Sequence, residues 1–300
     1  MRASLAVVLV TLLVTGCGSS GGGSRRGAAK SGTLEAIWRQ AGPAVALVPG
    51  TSDYGLGKIR VSFLVVDPRG RVVERPSARV WIARARDAVP FAETTASLEP
   101  VGVRGAVVDG GDVKNIYVAH VRVARSGRYW LVARPLGGRP IGAIRDLEVK
   151  RQSASPAIGA KAYPSRTPTL ATTPFFRLTT RRPPDLALLR HSVAASVAAH
   201  RPFVLVFATP RFCESRTCGP VVDVVDAARR RFAARGIRFI HVEIYKDNNP
   251  AKGPNRWVKQ WHLPSEPWTF LVGTDGRIKA KFEGSVSLRE LAAAVRRYLG

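Results

Sequence analysis

Cysteine is scarce: three in 300 residues, at positions 17, 213 and 218. That excludes a disulfide-stapled scaffold, and no spacing of thiols and imidazoles fits a zinc site. Histidine is equally thin, five in all, and none joins a serine and an aspartate in a hydrolytic constellation. No glycine-rich phosphate loop occurs. Acidic residues number 21 against 47 basic ones, 37 of them arginine, for a net charge of +26. The arginines are scattered and form no long basic run interleaved with aromatics, so nucleic acid is not the expected partner. The excess reads as a compositional bias that also suits an anionic lipid surface. The one long apolar run lies at the start and is too short to span a bilayer.

That run follows Met1-Arg2, passes through Leu5, Val7–Val10 and Leu12–Val14, and ends in Val14-Thr-Gly-Cys17. Residues 1–16 read as a secretory signal. The small residues before Cys17 resemble a bacterial lipobox, which implies lipidation of the Cys17 thiol and an extracytoplasmic protein anchored to the cell membrane. Gly18–Ser24 is flexible in composition, and residues 17–43 are expected to form a tether.

Residues 44–150 show strand alternation and no helical period. Ile59, Val61, Phe63 and Val65 alternate before a turn at Asp67-Pro-Arg-Gly70, and Tyr117, Ala119, Val121 and Val123 before Ser126-Gly127. Tyr129, Leu131 and Ala133 follow that turn. An all-β domain, a small sandwich, is expected. The segment from Tyr117 to Val132 resembles the last hairpin of immunoglobulin-like domains on exported bacterial proteins. Such a domain carries no function by itself, and a spacer is expected here. His120 points outward by alternation. Residues 151–184, rich in Pro, Ser, Thr and Ala, read as a linker.

From residue 185 to 300 strands and helices take turns. Asp185 caps a helix carrying Leu186, Leu189, Val193 and Val197 up to His200. A strand over Phe203–Thr209 leads through Cys213 and Cys218 to a helix from about Pro220 to Arg235, stopped by Gly236. Asp223 and Asp226 share that helix with arginines and are expected to be solvated. A strand over Ile237–Tyr245 and a helical piece around Trp257–Trp261 follow. Pro267 precedes a strand, Thr274–Arg277 form a hairpin turn, Ile278–Phe282 return, and Ser287 with Glu290 make a capping box for a last helix.

The strand-Cys-turn-Gly-Pro-helix junction, together with Pro267-Trp-Thr-Phe-Leu ending at Asp275-Gly276, resembles the thioredoxin-like superfamily over about 185–300. The resemblance implies an α/β domain following the β-sandwich, two domains in all, and thiol-disulfide exchange with exported proteins carrying thiols or disulfides. It implies no cofactor or resident metal. It also implies a cis bond at Glu266-Pro267, with the Glu266 backbone offered to a bound peptide.

Four residues separate Cys213 from Cys218, and a disulfide can bridge that offset. A purely structural staple is the bland alternative, though so short a loop restrains little unfolded-chain entropy. In exchange, one thiolate attacks and the other thiol resolves. Arg211, Arg216 and the helix start would favour a thiolate. Counting from the strand end makes Cys213 the nucleophile; matching Cys-Gly-Pro makes it Cys218; the reading leans to Cys213. No carboxylate occurs in Phe203–Thr209, so the buried acid of reducing thioredoxins is missing there. Three alternatives stay open, one of them a redox-silent binding module whose disulfide never turns over. Thr209-Pro210 before Cys213 looks like the active-site segment of two-cysteine peroxiredoxins, which would give Thr209 the peroxide. Exported thioredoxin-like metallochaperones suggest copper, with His262 as third ligand.

Overall fold

The computed structural model describes residues 29–40, 42, 44–103, 113–138, 140–213 and 216–300. The expected signal and the lipidated Cys17 lie outside these. Among the described residues no helix is long and apolar enough to cross a membrane.

The first module opens with helix α1 (Leu34–Arg39), where a tether was expected. Thr33 caps it through a hydrogen bond from the Ala36 N–H, Leu34 is buried, and Glu35 takes hydrogen bonds from Arg39 and Arg86. Apolar anchorage and a paired charge give this short helix a tertiary reason to form. Seven strands follow: β1 (Ala44–Pro49), β2 (Gly57–Val66), β3 (Ser77–Ala83), β4 (Ala92–Pro100), β5 (Asn115–Val123), β6 (Gly127–Pro135) and β7 (Gly142–Val149). The alternating residues read from the sequence do face one core: Ile59, Val61, Phe63, Val65, Tyr117, Ala119, Val121, Val123, Tyr129, Leu131 and Ala133.

The expected two-sheet immunoglobulin-like sandwich is corrected to a closed barrel, ordered β1-β2-β5-β4-β3-β6-β7. Strand β3 is paired along both edges, Val80 with Thr94 of β4 and with Ala133 of β6. Closure comes from β1, antiparallel to β2 and parallel to β7. Alternation reports one buried face per strand, which sandwich and barrel share, so edge pairing is invisible to it. Tyr129 donates to the Arg125 carbonyl (2.5 Å), a corner contact of Greek-key domains.

Residues 151–184 lie packed along the second module. The Gly159 N–H donates to the Ile278 carbonyl and the Ile278 N–H to that of Ala160, and Ala162 is buried against the same core as Trp261. One helical turn, α2 (Phe175–Leu178), falls in this stretch. The single helix expected from Asp185 to His200 is instead a 3-10 turn, Leu186–Leu189, and then α3 (Val193–Ala198). Ser192 causes the break: its hydroxyl takes the Ala195 N–H and starts a new helix.

The second module holds β8 (Phe203–Phe207), α4 (Cys218–Arg231), β9 (Arg238–Val242), α5 (Arg256–Gln260), β10 (Trp268–Val272), β11 (Ile278–Glu283) and α6 (Leu288–Tyr298). Its sheet runs β11-β10-β8-β9, with β8 and β9 parallel and the other pairings antiparallel. This is the strand–helix–strand, hairpin and final helix read from the sequence. Every residue of β8 is buried because both faces are covered. Val204 and Val206 meet α4 and α6, while Phe203, Leu205 and Phe207 meet Trp261 and Phe270. Each such side chain contributes about 1.5–3 kcal/mol on burial. Gly236, at φ 66°, ends the 3-10 turn after α4.

The modules meet through polar contacts. Glu283 accepts from the N–H groups of Ser52 and Asp53 (2.8 Å each). Arg60 forks onto both Glu290 oxygens (2.9 and 3.0 Å), and Glu99 takes Ser287 and Arg289. Gly284, at φ 67°, lies where a Cβ would run into the Gly50 carbonyl oxygen. Its N–H donates to the Pro267 carbonyl (2.8 Å).

Candidate functional site

The end of β8 and the start of α4 place the two thiols. Phe203–Phe207 is a fully apolar strand, so the chain must turn where Thr209-Pro210 begins. The Phe212 N–H donates to the Thr209 carbonyl, and that of Arg216 to the Cys213 carbonyl (3.2 Å each). These turns bring Cys213 back to the first residue of α4. Cys213 and Cys218 form a disulfide with Cα atoms 5.9 Å apart, a usual separation.

The two sulfurs differ in surroundings. Cys218 is fully buried and belongs to the core beneath α4, whereas Cys213 is half-buried at its margin. The Cys218 backbone N–H donates to the Cys213 sulfur at 3.3 Å. A first-turn N–H of a fourteen-residue helix, a position with no intrahelical acceptor, is therefore aimed at the more accessible sulfur.

Glu266-Pro267 is cis, as the resemblance implies. The Glu266 carboxylate and both sulfurs all lie within 4.8 Å of one another. The family resemblance implies a role for the Glu266 backbone alone. Nothing in the spacing joins a residue 48 positions beyond Cys218 to the pair; the β8–β10 pairing does.

Other expected residues fall elsewhere. Thr209 is fully buried, and its hydroxyl has no hydrogen-bond partner among the described residues. The Arg211 guanidinium lies over the Phe212 ring, and the Arg211 backbone N–H donates to the Thr180 hydroxyl. His262, suggested for copper, packs on the Tyr163 ring and is not in the ligand cluster. Asp223 and Asp226 are not simply solvated: Asp223 pairs with Arg181 (2.6 Å), and the buried Asp226 pairs with Arg229 and Arg230 and shares a hydrogen bond with Asp185. Burial, and then the hydrogen bond with Asp226, push the Asp185 carboxyl up to about 6.

Two buried polar residues, His241 in β9 and Glu243 just after it, add to the surroundings of the site. His241 presents Nε2 to the Ala208 carbonyl at 3.0 Å, and burial pushes its pKa below the usual imidazole range. Glu243 accepts from Thr180 through one oxygen and has no partner for the other among the described residues. Alternation from Ile237 and Phe239 through His241 to Glu243 was the signal for both.

No protein-family model matches the chain, and no curated protein does. Among solved structures, a thiol:disulfide interchange protein of the thioredoxin family from Chlorobium tepidum TLS is similar at 14% identity. It aligns over 49% of this chain and 97% of its own, with a TM-score of 0.30. A likeness at that level carries no argument, and the class rests on the chain's own geometry. The second module is an α/β domain with a disulfide at a strand-to-helix junction and, against the sulfurs, the carboxylate of Glu266, which precedes a cis proline.

Proposed function

We propose that this chain is a thiol-disulfide oxidoreductase of the thioredoxin-like superfamily, lipid-anchored outside the cytoplasm through Cys17 and acting on exported proteins. The observation that carries the exchange reading is the asymmetry of the pair: an accessible sulfur receiving a helix N–H, and a buried one behind it. That asymmetry supports attack by Cys213 and resolution by Cys218. The anchor rests on the Val14-Thr-Gly-Cys17 segment.

In the reducing direction the Cys213 thiolate attacks one sulfur of a client disulfide. A mixed disulfide forms, and the other client sulfur leaves as a thiolate and takes a proton. Cys218, deprotonated, then attacks the Cys213 sulfur, re-forms the internal disulfide and releases the second client thiolate. Two electrons pass from the pair to the client; the reverse sequence oxidises a client dithiol. The resemblance gives the Glu266 backbone the task of holding a client peptide, and the Glu266 carboxylate lies within 4.8 Å of both sulfurs. A peroxidase would need the Thr209 hydroxyl at a peroxide on Cys213, and the burial of Thr209 weighs against it.

The test is trapping. With a peptide disulfide, reduced Cys218→Ser should accumulate a mixed disulfide at Cys213, while Cys213→Ser should trap none. Under limiting alkylating reagent the reduced wild-type chain should be labelled at Cys213. Labelling at Cys218 reverses the assignment, and rapid Cys213-dependent peroxide consumption without exchange replaces the reading.

A further inference from the structure

The fold sets a carboxylate against the pair, and its chemistry differs from exchange. We propose that the reduced pair and Glu266 form a zinc site, with Cys213 Sγ, Cys218 Sγ and one Glu266 oxygen as ligands and water in the fourth position. This rests on the exchange reading only in requiring that the pair can be reduced.

The three donor atoms lie within 4.8 Å of one another. A tetrahedral zinc ion with bonds of about 2.3 Å to sulfur and about 2.0–2.2 Å to oxygen needs donors roughly 3.5–3.8 Å apart. The sulfurs reach that separation once their bond is broken, and the carboxylate, within 4.8 Å of both, needs to close by about 1 Å at most. The donor set also selects the metal. Thiolates exclude magnesium and calcium, and Cu(I) favours sulfur without a carboxylate, whereas zinc takes both donor types. Three elements supply the ligands: the loop after β8, the first turn of α4, and the turn before β10. Cys218 is fixed in the core, and the half-buried Cys213 and Glu266 leave an entry path. Three protein ligands with one open position match an exchangeable site rather than a closed structural one.

Binding is gated by oxidation state. In the disulfide each sulfur is spent on the other, and no thiolate exists to coordinate. A phosphine reductant supplies two electrons, two protons are taken up, and two thiols appear. Zinc then displaces both thiol protons as two metal–sulfur bonds form. Bound zinc occupies the attacking sulfur, so the ion and a client disulfide compete for Cys213.

The experiment uses the full chain carrying Cys17→Ser, so that the pair supplies every thiol. The protein is reduced with a phosphine, freed of excess reagent, and titrated with Zn2+ against a chromophoric chelator and with Co2+ as a spectroscopic probe. One ion per reduced chain is expected, with none for the oxidised chain. Two protons should be released per zinc, and the cobalt adduct should show thiolate charge transfer with tetrahedral visible bands. Glu266→Gln should weaken zinc by about 10- to 100-fold, Glu266→Asp by less, and Cys213→Ser should abolish the tight site; far-ultraviolet dichroism confirms that each variant is folded. A reduced chain that exchanges with a peptide disulfide yet ignores Zn2+ overturns this inference alone. So does a Glu266→Gln chain binding zinc as tightly as its parent, or a site that takes Cu(I) and refuses zinc. A pair that resists reduction overturns both this inference and the exchange reading.

Discussion

Asp185 shows how a residue's environment departs from its local sequence. It was legible as a helix cap, and its carboxylate does accept the Ala187 N–H at 3.1 Å. Its partner was not legible, because Asp226 lies 41 positions away on α4. Burial alone would raise Asp226 as well, but the hydrogen bond from Asp185 and the guanidinium groups of Arg229 and Arg230 bring it below the usual carboxylate range. Asp185 therefore holds the proton, at about 6 against 3.8 for the unperturbed group. A folded value above the unfolded one gives stability that is fully present below pH 3.8 and lost as pH rises through about 6. Asp185→Asn keeps an acceptor for Ala187 and removes this titration. Its melting temperature relative to wild type should rise between about pH 4 and 6; a difference independent of pH would show that no proton is shared. The thiol pair was the plainest residue-level signal in the sequence, whereas the Glu266 carboxylate, Glu243 and His241 needed strand neighbours to give them meaning.

Elements were legible where a cap and a period coincided. The capping box read at Ser287 and Glu290 is formed, with the two side chains exchanging hydrogen bonds with each other's backbone N–H. The long helix from Asp185 failed because the apolar spacing continued across a serine that caps a second start. Asn255 illustrates a cap with a tertiary duty. Its carbonyl oxygen accepts from Trp257 and Val258 at 2.9 and 3.0 Å to start α5, and its amide donates to the Glu243 carbonyl beside the end of β9. Asn255→Ala removes the cap and leaves a buried carbonyl unpaired. The expected cost is about 2 kcal/mol, measurable by urea unfolding; a loss under about 0.5 kcal/mol would mean water replaces the side chain fully.

At the scale of the whole molecule, the sequence showed two modules and hid their relation. Strand alternation could not reveal that the first sheet closes, and the contacts of Glu283, Arg60 and Glu99 join residues about 190 to 230 positions apart. The Arg60 and Glu290 side chains are only 10% and 12% exposed, so removing one partner leaves the other stranded. Arg60→Ala should cost about 3–5 kcal/mol. Gly284→Ala should act by wedging instead, since a methyl there meets the Gly50 carbonyl and a positive φ disfavours it. Either substitution should split one thermal transition into two and speed proteolysis between the modules; a single unshifted transition would show the interface to be incidental. Gly284, packed on the barrel's Gly50, also donates to the carbonyl of Pro267, so one backbone hydrogen bond links that contact to the residue following Glu266. The bearing of the two sulfurs is thus set by the barrel's grip on β11 and α6, and loosening that grip would re-aim the disulfide as well as part the modules.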